Sequence, residues 1–215
     1  MYLPSHFAET RPAVLHELVA AHPLGTLVTL TDGSLDANLL PFELAPSEGP
    51  HGTLRAHVAR ANPVWRNHAA NVEVLVIFQG PATYVTPSWY ETKRETGRVV
   101  PTYNYCAVLA RGPLVVRDDR EWLRAQVTRL TARFEAGRAA PWTVSDAPAD
   151  FLDKQLAAIV GLEIPVSSLT GKWKVSQNRS AADRAGVETG LRAEGTHAAA
   201  QMADVVRQFG PPKSV

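Results

Sequence analysis

The sequence predicts a mainly antiparallel β fold with peripheral helices (α+β), whose strands form a small barrel. Short runs of residues with high strand propensity follow one another through the first 116 residues, separated by turn residues. Crossover segments of about a dozen residues, which parallel strands need, are mostly missing there. A sheet of about six antiparallel strands leaves two unpaired edges, and closure into a barrel removes both.

Individual strands are predicted where β-branched, leucine and aromatic residues lie between turn residues. These runs are residues 25–30, 35–42, 53–58, 72–78, 82–85, 103–116 and, as the last strand, 163–166. Asp32-Gly33, between the first two runs, predicts a tight hairpin turn. Gly80-Pro81 is expected to end the fourth run, with residues 82–85 as another strand or a bulged extension.

Helices are predicted where apolar residues recur at intervals of three and four. The predicted helices run from Thr10 to His22, from Asn62-Pro63 to about His68, from Asp118 or Asp119 to Phe134, over residues 150–160, and over residues 181–209 with a break near residues 190–195. Residues 86–102 are polar and contain a proline near each end, so they are expected to form a structured excursion between two strands.

The composition is that of a globular domain and excludes several classes of protein. Hydrophobic residues make up 45% of the 215 residues and charged residues 20%, which suits a packed core rather than disorder. A formal net charge of +1 excludes a polycationic nucleic-acid binder. Cys106 is the one cysteine, which excludes an intrachain disulfide and a multi-cysteine metal site.

The location is expected to be cytoplasmic, without contact with a membrane. The N-terminal residues lack the basic segment and apolar run of a secretory signal. The longest uninterrupted run of apolar residues and glycines is 156–162, far short of the roughly 20 residues that span a bilayer.

Positive charge is concentrated toward the C-terminus. Residues 1–167 carry 15 basic and 17 acidic side chains, a net of −2, and residues 168–215 carry 7 and 4, a net of +3. A solvated helical face is the simpler explanation. The alternative is an anion site built around Lys172, Lys174 and Arg179.

No sequence motif for a familiar catalytic centre is present. The G-x-G dinucleotide fingerprint, the P-loop, the zinc motif H-E-x-x-H and the serine motif G-x-S-x-G are all absent. The histidines are dispersed, and His51 and His57 have no carboxylate between them, so no metal site is expected. No serine or cysteine lies beside an obvious base. The catalytic residues therefore stay unknown, and the pattern indicates binding more than covalent catalysis.

Two clusters of residues suit the phosphate and the ring of a ligand. Residues 57–63, His-Val-Ala-Arg-Ala-Asn-Pro, predict the end of a strand and the start of a helix, where backbone N–H groups attract anions and Arg60 adds a bidentate donor. A capped helix with a surface arginine is the alternative. Residues 80–93 hold three aromatic side chains beside prolines, which either stack on a planar ligand or plug the end of a barrel.

Two further clusters lie nearer the C-terminus. Residues 99–105 place Tyr103 and Tyr105 on one face of a strand and Asn104 on the other. Residues 171–179, Gly-Lys-Trp-Lys-Val-Ser-Gln-Asn-Arg, combine cations, an indole and two amides. That set suits a ligand with a phosphate and a heteroaromatic ring, and it equally suits a wet protein interface.

At these clusters the sequence resembles the PaiB family, also called FMN-binding negative transcriptional regulators. The resemblance rests on Met-Tyr-Leu-Pro-x-x-Phe at residues 1–7, on the motif at residues 57–63, and on three later motifs. These are Gly-Pro-x-x-Tyr-x-x-Pro-Ser-Trp-Tyr at residues 80–90, Val-Pro-Thr-Tyr-Asn-Tyr at residues 100–105, and Gly-Lys-Trp-Lys-x-Ser-Gln-Asn at residues 171–178. The resemblance spans about residues 1–191.

The resemblance implies an FMN-binding split β-barrel with a helical C-terminal tail, and a homodimer with flavin at the subunit interface. It implies a split-barrel domain with inserted helices over residues 1–170. Residues 171–215 would form a basic segment and helical tail, packed on the same domain or on the dimer partner. Tyr103, Thr86 and Leu109 stand where the family usually has Trp, Ser and a frequent His, so no catalytic role is expected at Leu109.

By analogy, His57, Arg60 and Asn62 would hold the phosphate, residues 38–40 would run beside the isoalloxazine ring, and later residues would complete the site. The implied cofactor-binding residues are Asn38, Leu39, Leu40, His57, Arg60, Asn62, Trp89, Lys93, Lys172, Trp173, Lys174, Gln177 and Asn178.

Three functions stay open at this point. The first is a flavin-binding dimer that represses genes, although the charge of the sequence does not support direct DNA binding. The second is an FMN-dependent oxidoreductase, such as a flavin reductase or a pyridoxine-phosphate-oxidase-like enzyme that uses NAD(P)H. In the third, the aromatic loops and basic tail form only a dimer interface, without flavin. We expect the first, with FMN as the cofactor.

Overall fold

The computed structural model describes residues 1–209 as ten strands and seven α-helices. The strands are β1 Ala8–Glu9, β2 Leu24–Thr31, β3 Ser34–Pro41, β4 Glu43–Ala45, β5 Thr53–Ala59, β6 Val74–Val85, β7 Thr102–Gly112, β8 Val115–Arg117, β9 Ile159–Pro165 and β10 Ser168–Lys174. The helices are α1 Pro12–Ala21, α2 Val64–Asn67, α3 Glu91–Thr96, α4 Arg120–Glu135, α5 Ala149–Ala157, α6 Ala181–Ala193 and α7 His197–Gln208. None of the helices within residues 1–209 is both long and apolar enough to cross a membrane.

The strands form two sheets. The six-stranded sheet has the order β1-β10-β7-β6-β2-β3, and the four-stranded sheet has the order β4-β5-β9-β8. The pairs β1–β10, β2–β3, β2–β6, β4–β5, β5–β9 and β8–β9 are antiparallel. The predicted antiparallel fold with helices is therefore confirmed. Closure into one ring is not seen among the described strands, because each sheet ends in two edge strands.

Two compact units make up the described chain. Unit 1 comprises Met1–Leu18, Gln79–Val108 and the chain from Thr170 onward. Unit 2 comprises Val19–Phe78 and Leu109–Leu169. The domain boundary that the resemblance implied stays a prediction.

Local sequence signals are confirmed at the hairpin and at several helix ends. Asp32 and Gly33 have φ of 50° and 79°, as the favoured two-residue turn between twisted strands requires. Asp119 caps α4, where its Oδ1 accepts a hydrogen bond of 2.7 Å from the backbone N–H of Trp122. The break predicted in the C-terminal helix separates α6 from α7, and the side chain of Thr196 caps α7.

Besides the short strands β1 and β4, which were not predicted, four strand boundaries differ from the prediction. Strand β6 continues through Gly80-Pro81, and the missing N–H of Pro81 costs no hydrogen bond to β2, because β2 pairs with Leu75–Ile77. The predicted run 103–116 divides into β7 and β8 rather than bending. Strand β9 begins at Ile159, inside the predicted helix 150–160.

Strand β10 is the fourth difference, because the last strand was predicted to end at residue 166. Its sequence, Ser-Leu-Thr-Gly-Lys-Trp-Lys, has weak strand propensity. It is extended because it pairs with other strands, with Ala8 opposite Lys172 and Glu9 opposite Gly171 in β1. Tertiary pairing therefore overrides the local signal.

The core of each unit follows the apolar pattern of its elements. In unit 2 the buried rings of Phe42 and Phe78 meet edge to face, with centroids 5.7 Å apart. In unit 1 helices α6 and α7 pack against each other. Val187, Leu191, Met202 and Val206 on these two helices are buried.

A carboxylate between two arginines links the four-stranded sheet of unit 2. Glu163 lies on β9, where it pairs with Arg55 of β5 and with Val115 of β8. Its Oε2 lies 2.9 Å from Arg55 Nε, and its Oε1 lies 2.5 Å from Arg117 Nη2. Burial would raise the pKa of the Glu163 carboxyl, but the hydrogen bonds from Arg117 and Arg55 outweigh burial and hold this pKa below its ordinary value.

We predict that Glu163→Gln lowers the free energy of unfolding by about 2 kcal/mol at pH 7, because charge-assisted hydrogen bonds to both arginines are weakened. Since the folded pKa is depressed, this contribution is present above the unfolded pKa and is lost as the pH falls through the folded value. Urea denaturation from pH 7 to pH 3 should therefore show the two proteins converging in acid. Asp150→Asn, at an exposed pair with Lys154, serves as the control and should change stability by less than about 0.5 kcal/mol. A pH-independent difference for Glu163→Gln would contradict the assignment.

Candidate functional site

The predicted cofactor-binding residues divide between the two units. Unit 2 contains Asn38, Leu39, Leu40, His57, Arg60 and Asn62. Unit 1 contains Trp89, Lys93, Lys172, Trp173, Lys174, Gln177 and Asn178.

In unit 2 the guanidinium of Arg60 is already neutralised. Its Nη1 and Nη2 donate to the two carboxylate oxygens of Asp118 at 2.8 and 2.5 Å. Its Nε donates to the carbonyl oxygen of Ala157 at 2.7 Å, and Nη2 also donates to that of Ile159 at 3.0 Å. The hydrogen bond from Arg60 lowers the pKa of the Asp118 carboxyl. Four of the five N–H donors are thus engaged, and a phosphate at this arginine would compete with Asp118.

The turn after β5 is held by amide side chains. Asn62 Oδ1 accepts from the backbone N–H of Val64 at 3.0 Å, and Asn62 Nδ2 donates to Asn38 Oδ1 at 2.8 Å. The structure thus brings together two of the predicted residues, Asn38 and Asn62. On the same strand Leu39 is exposed and Leu40 is buried. These amides hold the turn, and their role toward a flavin stays a prediction.

The imidazole ring of His57 lies within hydrogen-bond distance of a buried glutamine. His57 Nδ1 lies 2.8 Å from Oε1 of Gln126, which is fully buried on α4. Within residues 1–209, Gln126 Nε2 has no hydrogen-bond partner.

The described part of the chain contains no group of three or more His, Cys, Asp or Glu side chains that could hold a metal.

In unit 1, Trp89 packs on a pair of glycines one helical turn apart. A Cβ added to Gly190 would lie 2.4 Å from the indole of Trp89, and one added to Gly186 would lie 2.0 Å from its carbonyl oxygen. These glycines let α6 approach the Trp89 segment closely. The neighbouring Lys93 is exposed, and its Nζ donates to Ser88 Oγ at 3.0 Å.

Lys172 is a buried cation whose hydrogen bond and ring contacts are with neutral groups. Only 7% of the residue is exposed. Its Nζ donates to the carbonyl oxygen of Tyr2 at 3.0 Å and lies 5.4 Å from the centroid of the Tyr105 ring and 5.7 Å from that of Tyr2. A carbonyl and two aromatic faces therefore stabilise this ammonium.

Trp173 and Gln177 line a cavity of about 380 Å³ in unit 1, within the size range of small-molecule sites. The other lining residues are His6, Ala8, Glu9, Arg11, Gln208 and Phe209. The Trp173 and Phe209 ring centroids are 5.8 Å apart. Gln177 is committed to the backbone, because Nε2 donates to the carbonyl oxygen of Trp173 at 2.5 Å and Oε1 accepts from Val175 at 2.8 Å.

Lys174 and Asn178 line a second, smaller cavity, which we call the basic pocket. It has a volume of about 40 Å³. Its lining residues are Thr102, Asn104, Lys174, Ser176, Asn178 and Arg179. Burial lowers the pKa of the Lys174 ammonium, and positive charge on Lys172 and Arg179 lowers it further. The charges of Lys172 and Arg179 therefore act on Lys174 at this pocket.

Sequence reasoning missed several of the contacts that define these sites. Asp118 binds Arg60 across 58 residues, and Asn104 contacts Ser176 across 72 residues. Ser176 has a φ of 67°, in the left-handed region, and a serine in a sequence does not predict this conformation. The alternation that placed Asn104 opposite Tyr103 in β7 was the one available signal.

Cys106 supplies no reactive thiol. Its side chain is buried, and burial raises the pKa of the thiol to about 12. A thiol with such a pKa is not ionised near neutral pH, so it is a poor nucleophile.

Comparisons with known proteins place the chain in a family. The family model described as "Putative FMN-binding domain" matches residues 1–168. The chain belongs to this family. An uncharacterized protein of Emericella nidulans is 36% identical over 248 aligned residues, which cover 99% of each chain. The protease synthase and sporulation protein PAI 2 of Bacillus subtilis is 32% identical over 206 residues, which cover 96% of each chain. The resemblance to the PaiB family is confirmed.

A solved structure shares the fold. The FAD and heme binding protein of Mycobacterium smegmatis matches with a TM-score of 0.59 and 20% identity, over 78% of this chain and 73% of that chain. At this identity the similarity concerns the fold alone.

Proposed function

We propose that this protein is a PaiB-like homodimer that binds FMN and acts as a negative transcriptional regulator. The observation that carries flavin binding is the match of residues 1–168 to a family of FMN-binding domains. A flavin receives further support from the shared fold with a Mycobacterium smegmatis protein that binds FAD and heme. The choice of FMN over FAD follows the family's description.

The side chains of unit 1 fit the chemistry of FMN. The phosphate of FMN is a dianion, and Lys174 and Arg179 present positive charge at the basic pocket. Asn178 adds an amide that can donate to or accept from ribityl hydroxyl groups. The cavity of about 380 Å³ beside Trp173 is separate from this pocket, because Trp173 and Lys174 are successive residues of β10 and point to opposite faces of the sheet.

The chain itself would bind and orient the cofactor rather than react with it. Bound FMN supplies one- and two-electron redox chemistry. Cys106 is buried with a raised pKa, so it does not serve as a nucleophile. In unit 2 the amides of Asn38 and Asn62 hold their own turn in place.

We predict that the purified protein binds one FMN per chain at micromolar concentration, measured by quenching of flavin fluorescence. Arg60→Ala tests whether the turn after β5 holds the phosphate; because Asp118 already neutralises Arg60, we expect this variant to bind FMN within about twofold of the wild type. Arg66→Ala is the matched control, because Arg60 and Arg66 both lie over the ring of Trp65, at 5.9 and 4.0 Å. Thermal unfolding of both variants separates a binding defect from loss of the fold.

Absence of flavin binding by the folded wild-type protein would contradict the proposed cofactor. Equal affinities in the Arg60→Ala variant and the wild type would remove Arg60 from the site while leaving the cofactor. Steady NAD(P)H consumption above that of free FMN would favour the alternative, an FMN-dependent oxidoreductase.

The regulatory role rests on the PaiB family and on the Bacillus subtilis relative, whose name is protease synthase and sporulation protein PAI 2. The formal net charge of +1 gives little support for direct DNA contact. A gel shift with operator DNA at low salt tests that contact. No shift would leave an indirect effect on gene expression as the form of regulation.

Homodimer formation is supported by an apolar sheet face in unit 2. Residues that pair directly across β2, β3 and β6 share this face. They are Leu24, Thr26, Val28, Leu30, Leu35, Ala37, Leu39, Pro41, Leu75 and Ile77. None of these ten side chains is charged, and Leu35 and Leu39 are 78% and 65% exposed. A second copy of the chain is the proposed partner, because an uncharged face can pack against its own copy without unpaired charges.

We predict that the wild type sediments as a dimer and that Leu35→Asp sediments as a monomer, because a charge on this face cannot be buried without a partner. Val100→Asp is the control, since Val100 in unit 1 is 65% exposed and lies outside the face. A wild-type monomer, or a Leu35→Asp dimer of unchanged affinity, would contradict this interface.

A further inference from the structure

The basic pocket in unit 1 holds positive charge that forms no ion pair with an acidic side chain of residues 1–209. Lys174 Nζ donates to Thr102 Oγ1 and, at 2.6 Å, to the carbonyl oxygen of Tyr103, both of which are neutral. The Arg179 guanidinium lies 4.8 Å from the centroid of the Tyr90 ring. Neither Lys174 nor Arg179 forms an ion pair with any side chain of residues 1–209.

The charge of Arg179 acts on the carboxylate of Asp183, but this carboxylate accepts its hydrogen bonds from Thr92. Oδ1 and Oδ2 of Asp183 accept hydrogen bonds of 2.9 Å from the backbone N–H and the hydroxyl of Thr92. Burial has the largest effect on the pKa of the Asp183 carboxyl and raises it, but hydrogen bonds from Thr92 and Ser180 lower this pKa below its ordinary value. The charge of Arg179 also lowers it and has the weakest effect. The positive charge at the pocket is therefore left for another group.

Neutral hydrogen-bonding groups complete the pocket wall. Asn104 is only 1% exposed, and its Nδ2 donates to Ser176 Oγ at 2.9 Å. An amide has two N–H donors and Ser176 takes one, so a buried donor is left beside the cations. Asn178 at the pocket edge is exposed and adds a second amide.

The size of the pocket restricts what can enter it. A volume of about 40 Å³ is several times the space that one water needs and far below the volume of a site for a whole cofactor. It suits one compact group of a few heavy atoms. Two cations, two amides and two hydroxyls around that volume match a tetrahedral oxyanion with two negative charges.

We propose that the basic pocket binds the phosphate group of a phosphate monoester or inorganic phosphate, with Lys174 and Arg179 as its charged contacts. The phosphate of FMN is one source, and for that source the inference rests on the proposed function. Free phosphate is the other. In unit 2, by contrast, Arg60 already has Asp118 as its anion.

Calorimetric titrations with inorganic phosphate, FMN and riboflavin test this proposal on the full chain. In the wild type we expect inorganic phosphate to bind and FMN to bind at least tenfold more tightly than riboflavin. Lys174→Gln and Arg179→Gln should each weaken phosphate binding at least tenfold. Arg98→Gln, which removes an exposed cation of unit 1 outside the pocket, should leave it unchanged.

The variants also identify the source of the phosphate. If FMN loses its advantage over riboflavin in Lys174→Gln and Arg179→Gln, FMN is the ligand; if the advantage persists while phosphate binding falls, the pocket serves free phosphate. If no flavin binds but phosphate does, the proposed function fails and the pocket stands. Arg179→Lys should restore part of the phosphate affinity, and a phosphate-dependent rise in Tm should occur in the wild type and not in Arg179→Gln.

The proposal is overturned if neither the affinity for inorganic phosphate nor the advantage of FMN over riboflavin changes in the two glutamine variants. It is equally overturned if the wild type binds no phosphate and does not distinguish FMN from riboflavin. Thermal unfolding without ligand shows that each variant is folded, so that a lost affinity reports on the pocket itself.

Discussion

Positive charge without an acidic partner among residues 1–209 is the main electrostatic constraint in unit 1. Strand β10 carries Lys172 and Lys174, and the turn that follows it carries Arg179. Removing an ammonium from water is costly unless hydrogen bonds or an opposite charge replace the water. The carbonyl oxygens of Tyr2 and Tyr103 supply hydrogen bonds but no charge. An anionic ligand would therefore stabilise this segment, whose cations form no ion pair within residues 1–209.

In unit 2, by contrast, arginines are paired with acidic side chains of the same unit. Glu163 lies between Arg55 and Arg117, and Asp118 takes both guanidinium nitrogens of Arg60. Such pairs hold strands in register, but they leave little unsatisfied charge for a ligand. This contrast is the reason for which we propose that the phosphate binds at the second basic motif, residues 171–179, rather than at residues 57–63.

The sequence predicts those features whose cause is local. Asp32-Gly33 fixes a hairpin turn and Asp119 fixes a helix start, because each acts on backbone within a few residues. Strand β10 could not be predicted, since its extended form depends on pairing with distant strands rather than on its own weak propensity. The motifs at residues 57–63 and 171–178 pointed to the family. Their partners, Asp118 for Arg60 and Asn104 for Ser176, are remote in sequence and became visible only in the fold.

A crystal structure of the protein with FMN tests the central claim most directly, because it locates the phosphate. The account predicts phosphate oxygens within about 3 Å of Lys174 Nζ and of the Arg179 guanidinium, with the pair between Arg60 and Asp118 intact. A phosphate bound to Arg60 with Asp118 displaced would contradict it. So would a flavin whose phosphate lies in solvent while the basic pocket holds only water.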